Sequence, residues 1–208
     1  MDAQHASLHP GARSLTYPDI TRLMWAIACV WLCADVALGL AGFFSVHQRI
    51  IGPIALAPVV VFAVAFAASP SLRSWAFAFD MKTLVTAQAV RMGGIAFLAV
   101  AAVGKLNGLW ALWAGGIDCA IGLSALFAAS YLVPATTSRQ RRLLIAWMLI
   151  GLLDFVVAIP LARVIRAADP ASMIPLSQPP LTVITTFFVP LALMDYFVLG
   201  AQLWRQRG

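Results

Sequence analysis

The sequence predicts an all-α fold, a polytopic transmembrane bundle of six helices. Of its 208 residues, 62% are hydrophobic and only 11% are charged, whereas a soluble domain carries about 25% charged residues. Six apolar runs follow one another, each close to the roughly 20 residues that cross a bilayer. Short polar or basic connections separate them, which indicates one multi-pass membrane domain.

The runs place the six spans at about 20–44, 51–68, 80–103, 109–133, 143–165 and 181–204. Residues 1–19 and 205–208 are expected to be polar tails. The first run is too long for a cleaved signal peptide, so we interpret it as a retained span. The second span has no charge, and we expect it to be the most lipid-exposed helix. The connection 167–180 is polar and proline-rich, which favours a solvated loop, with a lid as the alternative.

The distribution of basic residues predicts the orientation of the chain in the membrane. Six spans place both termini on one side, together with nine basic residues; four basic residues lie on the opposite side, and Arg91 is inside a span. The positive-inside rule then places the termini in the cytoplasm, and we expect a bacterial inner membrane. The net charge of +6 suits lipid headgroups, and without a long basic run we expect no nucleic acid partner.

The fourth span carries a single charged residue, Asp118, close to its middle. A carboxylate at that depth is costly and is a hypothesis for a functional site. Gly115, Asp118, Gly122 and Ala125 recur at three- and four-residue spacing and share one helical face. Small residues let another helix approach closely, so Asp118 is expected to point into the bundle.

Six polar residues lie inside the predicted spans and form the candidate substrate- or ion-binding set. We expect three near mid-depth, one nearer the outer side, one nearer the inner side, and a glutamine one turn from the arginine. One arginine faces four aspartates, so some acids must be protonated, exposed to water or neutralised by a bound cation. The alternative is that these groups are polar contacts that hold helices together. The set is Asp35, Gln88, Arg91, Asp118, Asp154 and Asp195.

Cofactor and metal chemistry find no support in the pattern. The three histidines, His5, His9 and His47, lie outside the spans, so no pair of axial haem ligands is available. The cysteines lack a C-x-x-C spacing and a histidine nearby, which argues against a metal site. We therefore expect no cofactor, no metal and no histidine-assisted nucleophile.

Two resemblances are carried by short motifs. Gly115-Gly116-Ile117-Asp118 resembles the G-x-G-D motif of presenilin and prepilin peptidases but departs from it at Ile117, where that motif has glycine. Residues 114–122 and 151–158, with Gln88-x-x-Arg91-x-Gly93, resemble segments of an uncharacterised family of small bacterial multi-pass integral membrane proteins. That second resemblance implies a membrane protein and implies no activity or substrate.

The two halves of the chain show a weak internal similarity. Residues 35–44 align with 118–127 at five identical positions of ten, including both aspartates, and 83–90 align with 182–189. Three spans per half would make a 3+3 inverted repeat, as in secondary transporters whose site lies at the midplane. Chance matching of apolar helices is the alternative.

Three functions remain open from the sequence. The first is a small transporter or permease coupled to protons or a cation, in which Asp118 and Asp154 carry charge and Arg91 pairs with one of them. The second is a structural or assembly subunit without transport. The third is a two-aspartate intramembrane hydrolase, which needs Asp118 and Asp154 close enough to share a proton. The oligomeric state is left open.

Overall fold

The computed structural model describes residues 17–206, and this part of the chain contains helices and no strand. Residues 1–16 of the predicted N-terminal tail and residues 207–208 of the predicted C-terminal tail lie outside the described residues. Six helical stretches are long and apolar enough to cross a membrane, which indicates an integral, multi-pass protein and confirms the all-α fold of six spans. They are Tyr17–Leu40, Gln48–Ala68, Met81–Ala102, Gly108–Tyr131, Ser138–Ala168 and Leu181–Arg205.

Three of the six spans are built from more than one element. The helices are α1 (Tyr17–Leu40), α2 (Phe43–Val46), α3 (Ile51–Ala68), α4 (Pro70–Phe77), α5 (Met81–Ala87), α6 (Ile95–Ala102), α7 (Gly108–Tyr131), α8 (Ser138–Ala168), α9 (Leu181–Val183) and α10 (Val189–Arg205). A 3₁₀ turn, Gln48–Ile50, begins the second span, and another, Gln88–Gly94, joins α5 to α6. A π-helical segment, Ile184–Phe188, joins α9 to α10. The fifth span holds Pro160 within α8.

Local side-chain chemistry sets where several helices begin. Asp80 accepts from the backbone of Thr83 at the start of α5, and Asn107 accepts from that of Trp110 at the start of α7. Thr137 and Gln140 form a capping box that starts α8. Each contact satisfies a backbone N–H group that the first turn leaves without a partner. The capping box makes the fifth span begin at residue 138, earlier than the predicted 143.

Two expectations about exposure are wrong. The most lipid-exposed span is the first, of which 11% is buried, compared with 22% of the second. The second span packs along α10, whereas α1 lies at the edge of the bundle. The connection before the sixth span is also partly folded: Ala171–Ser177 forms a 3₁₀ helix that buries Met173 and Leu176. These side chains lie three apart, so a 3₁₀ turn places them on one face.

Two apolar clusters fill the two ends of the bundle. One, near the ends of the chain, includes Leu84, Leu144, Leu199 and Leu203. The other, at the opposite end, includes Phe97, Trp110, Met173, Leu176 and Leu181. The middle of the third, fourth and fifth spans lies between them, and this is where Arg91, Asp118 and Asp154 are located. The apolar layers thus hold a polar layer at mid-depth.

The predicted inverted repeat stays a prediction. In such a repeat, the first three spans correspond in order to the last three. The first span packs against the sixth, and the corresponding pair, the fourth and third spans, also pack together. However, the fourth and fifth spans pack closely, α7 along α8, whereas the corresponding first and second spans, α1 and α3, do not.

Candidate functional site

The 3₁₀ segment Gln88–Gly94 positions two of the predicted site residues. With three residues per turn, side chains at i and i+3 eclipse each other, so Gln88 and Arg91 lie one above the other, and both are buried. Glycines let α7 pack directly on this segment: a Cβ at Gly115 would lie 2.6 Å from the Gly94 carbonyl oxygen, and one at Gly122 would lie 2.6 Å from the Met92 nitrogen. The close approach brings Asp118 to Arg91.

Arg91 joins both mid-depth aspartates. Its Nε donates to Asp118 Oδ1 at 2.6 Å, and its Nη2 donates to Asp154 Oδ2 at 2.6 Å. Its Nη1 donates to the Gly151 carbonyl oxygen at 3.0 Å and to the Tyr196 hydroxyl at 3.1 Å. Four of the five donors of a guanidinium are thereby used, and the third, fourth, fifth and sixth spans all converge on this one side chain.

The charges of this cluster do not balance. Arg91, Asp118 and Asp154 are 5%, 5% and 2% exposed, and with both acids ionised their sum is −1. Asp154 Oδ1 is buried and has no hydrogen-bond partner among the described residues. One acceptor beside the ion pair is therefore free to hold a proton.

Aromatic rings cover the guanidinium. The Arg91 Cζ atom lies 4.3 Å from the centroid of the Phe155 ring and 5.9 Å from that of the Tyr196 ring. Such contacts favour a desolvated cation. Tyr196 and the Gly151 carbonyl were missed from sequence; the signal for Tyr196 was its position beside Asp195.

Gln88 and Asp195 form a second polar contact. Gln88 Nε2 donates to Asp195 Oδ2 at 2.5 Å and to the Ala192 carbonyl oxygen at 3.1 Å. Its Oε1 atom is buried and has no partner in the described part of the chain. This contact adjoins the arginine cluster through the sequence neighbours Asp195 and Tyr196, but no ion pair joins Asp195 to Arg91.

Asp35 lies apart from the other site residues. It is 3% exposed, and its two oxygens accept from the Thr186 hydroxyl at 2.7 and 2.6 Å. Thr186 also approaches the Thr182 carbonyl oxygen at 2.7 Å, so one hydroxyl proton faces three acceptors. Thr186 belongs to the π-helical segment, a feature frequent at functional sites. The sequence did not single out Thr186; the Thr182/Thr186 spacing was the available signal.

A cavity of about 860 Å³ reaches the acidic pair. It begins at residues 45–53, after the first span, and at the last turns of α8, and it extends inward to Asp118 and Asp154. The volume lies within the roughly 300–1,000 Å³ of small-molecule sites. A separate void of about 20 Å³ adjoins Arg91 and Asp118 between the 3₁₀ and π segments, which is room for one water molecule.

The described residues bring together no group of three His, Cys, Asp or Glu side chains that could hold a metal ion. The charged groups that line the cavity are carboxylates at its inner end and arginine side chains at its mouth.

Fold and site together define a multi-pass integral membrane protein with an arginine–aspartate cluster at the inner end of a cavity. The chain belongs to the family described as Domain of unknown function (DUF8737), whose pattern matches residues 50–203. Comparison with curated proteins and with solved structures gave no match. The family agrees with the expectation of an uncharacterised one and assigns no activity.

Proposed function

We propose that this protein is a small-solute carrier of a bacterial inner membrane, coupled to protons through Asp118 and Asp154. The observation that carries the proposal is the cavity of about 860 Å³ that reaches both carboxylates. A polar cluster that served only to join helices would not require a cavity through which solute and water reach it. Intramembrane acids that line a cavity are typical of proton and ion pathways.

The charge of the cluster favours a proton over a metal cation as the coupling ion. Arg91 already contacts both acids at 2.6 Å, so a metal ion there would be repelled by the guanidinium. One proton on the Asp118–Asp154 pair makes the cluster neutral, and Asp154 Oδ1 has room for it because it lacks a partner. Loss of that proton leaves one net negative charge facing the cavity.

The orientation predicted from basic residues places the mouth of the cavity on the outer face. The mouth is formed by the segment after the first span and the end of the fifth span, both on the side opposite the termini. Two irregular segments supply the flexibility that a carrier needs to open inward. Pro160 interrupts the hydrogen bonding of α8. The π segment Ile184–Phe188 contributes Thr185 to the cavity lining.

The test uses proteoliposomes that contain a pH-sensitive dye in the lumen. A panel of small organic acids, amines and neutral solutes is added outside, and solute-dependent acidification of the lumen is recorded. Wild-type protein is expected to acidify the lumen with at least one solute faster than protein-free vesicles. Asp154→Asn and Asp118→Asn are expected to abolish that difference, because an amide cannot carry the proton.

Asp80→Asn serves as the matched control, since Asp80 caps α5 at the membrane edge and lies outside the cavity. It is expected to transport like the wild type. Flux that survives in both Asp118→Asn and Asp154→Asn would overturn the proposal, as would the absence of solute-dependent acidification across the whole panel.

The second candidate is a structural or assembly subunit, and one observation favours it. Arg91 donates four hydrogen bonds to three spans, which suits a contact that joins helices. Unfolding of Arg91→Ala, together with no solute-dependent acidification by the wild type, would support this role. The geometry favours the hydrolase less. In that enzyme the two aspartates would have to activate water, but Arg91 binds one carboxylate oxygen of each.

A further inference from the structure

We infer that the cavity binds an amphiphilic anion, with an acidic head group at the arginines of its mouth and an apolar body along its walls. The inference rests on the proposed function and deepens it by naming the substrate class. It is carried by the distribution of charge along one cavity: cationic at the mouth, apolar in the middle and acidic at the inner end.

The mouth carries four basic side chains, His47, Arg49, Arg163 and Arg166. Ion pairs between described residues involve only Arg91, at the other end of the cavity, so the three mouth arginines have no carboxylate bound. Asp169, the nearest acid along the chain, accepts through Oδ1 from the backbone of Ser172 instead. The mouth therefore concentrates positive charge that an anion would neutralise.

Arg166 is the best-placed of these groups. It is half-buried, and its Nη1 donates to the Gln48 carbonyl oxygen at 3.2 Å, which ties the end of α8 to the segment after the first span. The Gln48 carbonyl oxygen is the one hydrogen-bond acceptor that the described chain gives this guanidinium. A guanidinium held in place by one backbone contact is preorganised to bind a carboxylate or phosphate oxygen through its remaining Nη donors.

The wall between the mouth and the acids is apolar. It is formed by side chains from the second, third, fifth and sixth spans and from the 3₁₀ helix after α8, among them Leu56, Phe97, Phe155, Ile159, Leu176 and Val189. Such a wall stabilises an alkyl or aromatic body by roughly 25 cal/mol per Å² of apolar surface removed from water. A small hydrophilic anion would leave this wall without contacts.

The length of the cavity separates the bound anion from the acidic pair. Arg163 and Arg166 follow Asp154 by nine and twelve residues, which is about 14 and 18 Å along a helix. An anionic head at the arginines therefore avoids the negative inner end, and the apolar body points toward it. Entry of one monoanion together with one proton on the Asp118–Asp154 pair would leave no net charge to move across the membrane.

An acidic head on an apolar body describes both a free fatty-acid-like anion and an anionic lipid. The test measures binding of radiolabelled octanoate to the full-length protein in phosphatidylcholine nanodiscs, with unlabelled octanol as competitor. A second arm repeats it in nanodiscs that contain phosphatidylglycerol. We expect saturable octanoate binding that octanol displaces poorly. If phosphatidylglycerol suppresses octanoate binding, the natural ligand is an anionic lipid. If octanoate binding persists in the phosphatidylglycerol nanodiscs, the natural ligand is a free anion.

The deciding variant is Arg163→Gln/Arg166→Gln, which is expected to weaken octanoate binding by roughly tenfold or more, since each charge-assisted hydrogen bond contributes about that factor. Lys105→Gln is the control, because Lys105 is exposed at the same end of the bundle and lies outside the cavity. Wild-type affinity in the double variant, or equal displacement by octanol, overturns the inference.

The binding and flux experiments separate the two proposals. Arginine-dependent octanoate binding without acidification by any solute retains the inference and removes the carrier. Aspartate-dependent acidification by another solute, without octanoate binding, retains the carrier and removes the inference.

Discussion

Arg91 Nη2 and Asp154 Oδ2 are 2.6 Å apart, while the other oxygen of the same carboxylate has no hydrogen-bond partner among the described residues. A buried ion pair stabilises a fold when the geometry is good and the remaining lone pairs are satisfied. Here one acceptor is unsatisfied, and the residue lines a cavity. The pair is therefore both a junction of helices and a site open to protonation.

Removal of the arginine alone should destabilise the bundle strongly. Arg91→Ala leaves two carboxylates buried without a cation, and loss of one partner of a buried pair costs about 3–5 kcal/mol. The midpoint of thermal unfolding in nanodiscs is expected to fall well below that of Arg139→Ala, in which an exposed arginine at the start of α8 is removed. Arg91→Met/Asp118→Asn/Asp154→Asn should recover part of the loss, since no charge is left unpaired. Equal midpoints for Arg91→Ala and wild type would contradict the assignment.

Gly122 should tolerate no side chain. A Cβ there would lie 2.6 Å from the Met92 backbone nitrogen, which cannot move away without shifting the 3₁₀ segment. Gly122→Ala is expected to cost about 1–3 kcal/mol by overpacking, seen as a lower unfolding midpoint. Gly116→Ala is the control on the same helix: its nearest neighbour would be Leu112 Cδ1 at 3.9 Å, so little change is expected. A stable Gly122→Ala protein would show that α7 and the segment are not in backbone contact.

The contact between Asp35 and Thr186 should contribute to stability independently of the arginine cluster. Thr186→Val removes the hydroxyl that lies 2.7 and 2.6 Å from the two carboxylate oxygens, and an unsatisfied buried group costs about 1–3 kcal/mol. Thr185→Val is the matched control, because the Thr185 hydroxyl donates only to carbonyl oxygens of its own span. Thermal unfolding of the two variants side by side gives the difference; equal midpoints would count against the contact.

The cavity should admit water-soluble reagents from one side. In a variant that lacks Cys29, Cys33 and Cys119, Ala162→Cys is expected to react with a small charged methanethiosulfonate, because Ala162 lines the cavity. Val164→Cys lies at nearly the same height on α8, but its side chain is 66% exposed on the outer surface of the bundle, where lipid suppresses the thiolate. Mass spectrometry quantifies both reactions. Equal labelling of the two positions would argue against a water-filled cavity.

The predicted orientation has its own test. With the termini in the cytoplasm, Lys105→Cys should react with a membrane-impermeant maleimide on intact cells, since the turn after α6 faces outward. Arg139→Cys, in the connection before α8, should react only after the membrane is opened. The reverse pattern would invert the chain and place the mouth of the cavity on the cytoplasmic side.

Part of the candidate site could be read from the sequence. Asp118 stands alone in an apolar run, and Gln88 and Arg91 are three residues apart in the third span. Such signals are local, because the cost of a polar group in a membrane depends on the residue and its depth. The helix ends were less accurate, since Asn107 and Thr137 start helices through local capping hydrogen bonds that hydropathy does not register.

By itself, the sequence determined the membrane class, the six spans and the identity of the buried charged residues, because hydropathy and helical periodicity are properties of short segments. Only the tertiary structure decided which groups meet: Asp118 and Asp154 with Arg91, Asp195 with Gln88, and Asp35 with Thr186. It also decided that a cavity reaches two of the four acids. Those choices depend on the packing of spans far apart in the chain, where close contact at glycines and irregular helical turns set the position of each side chain.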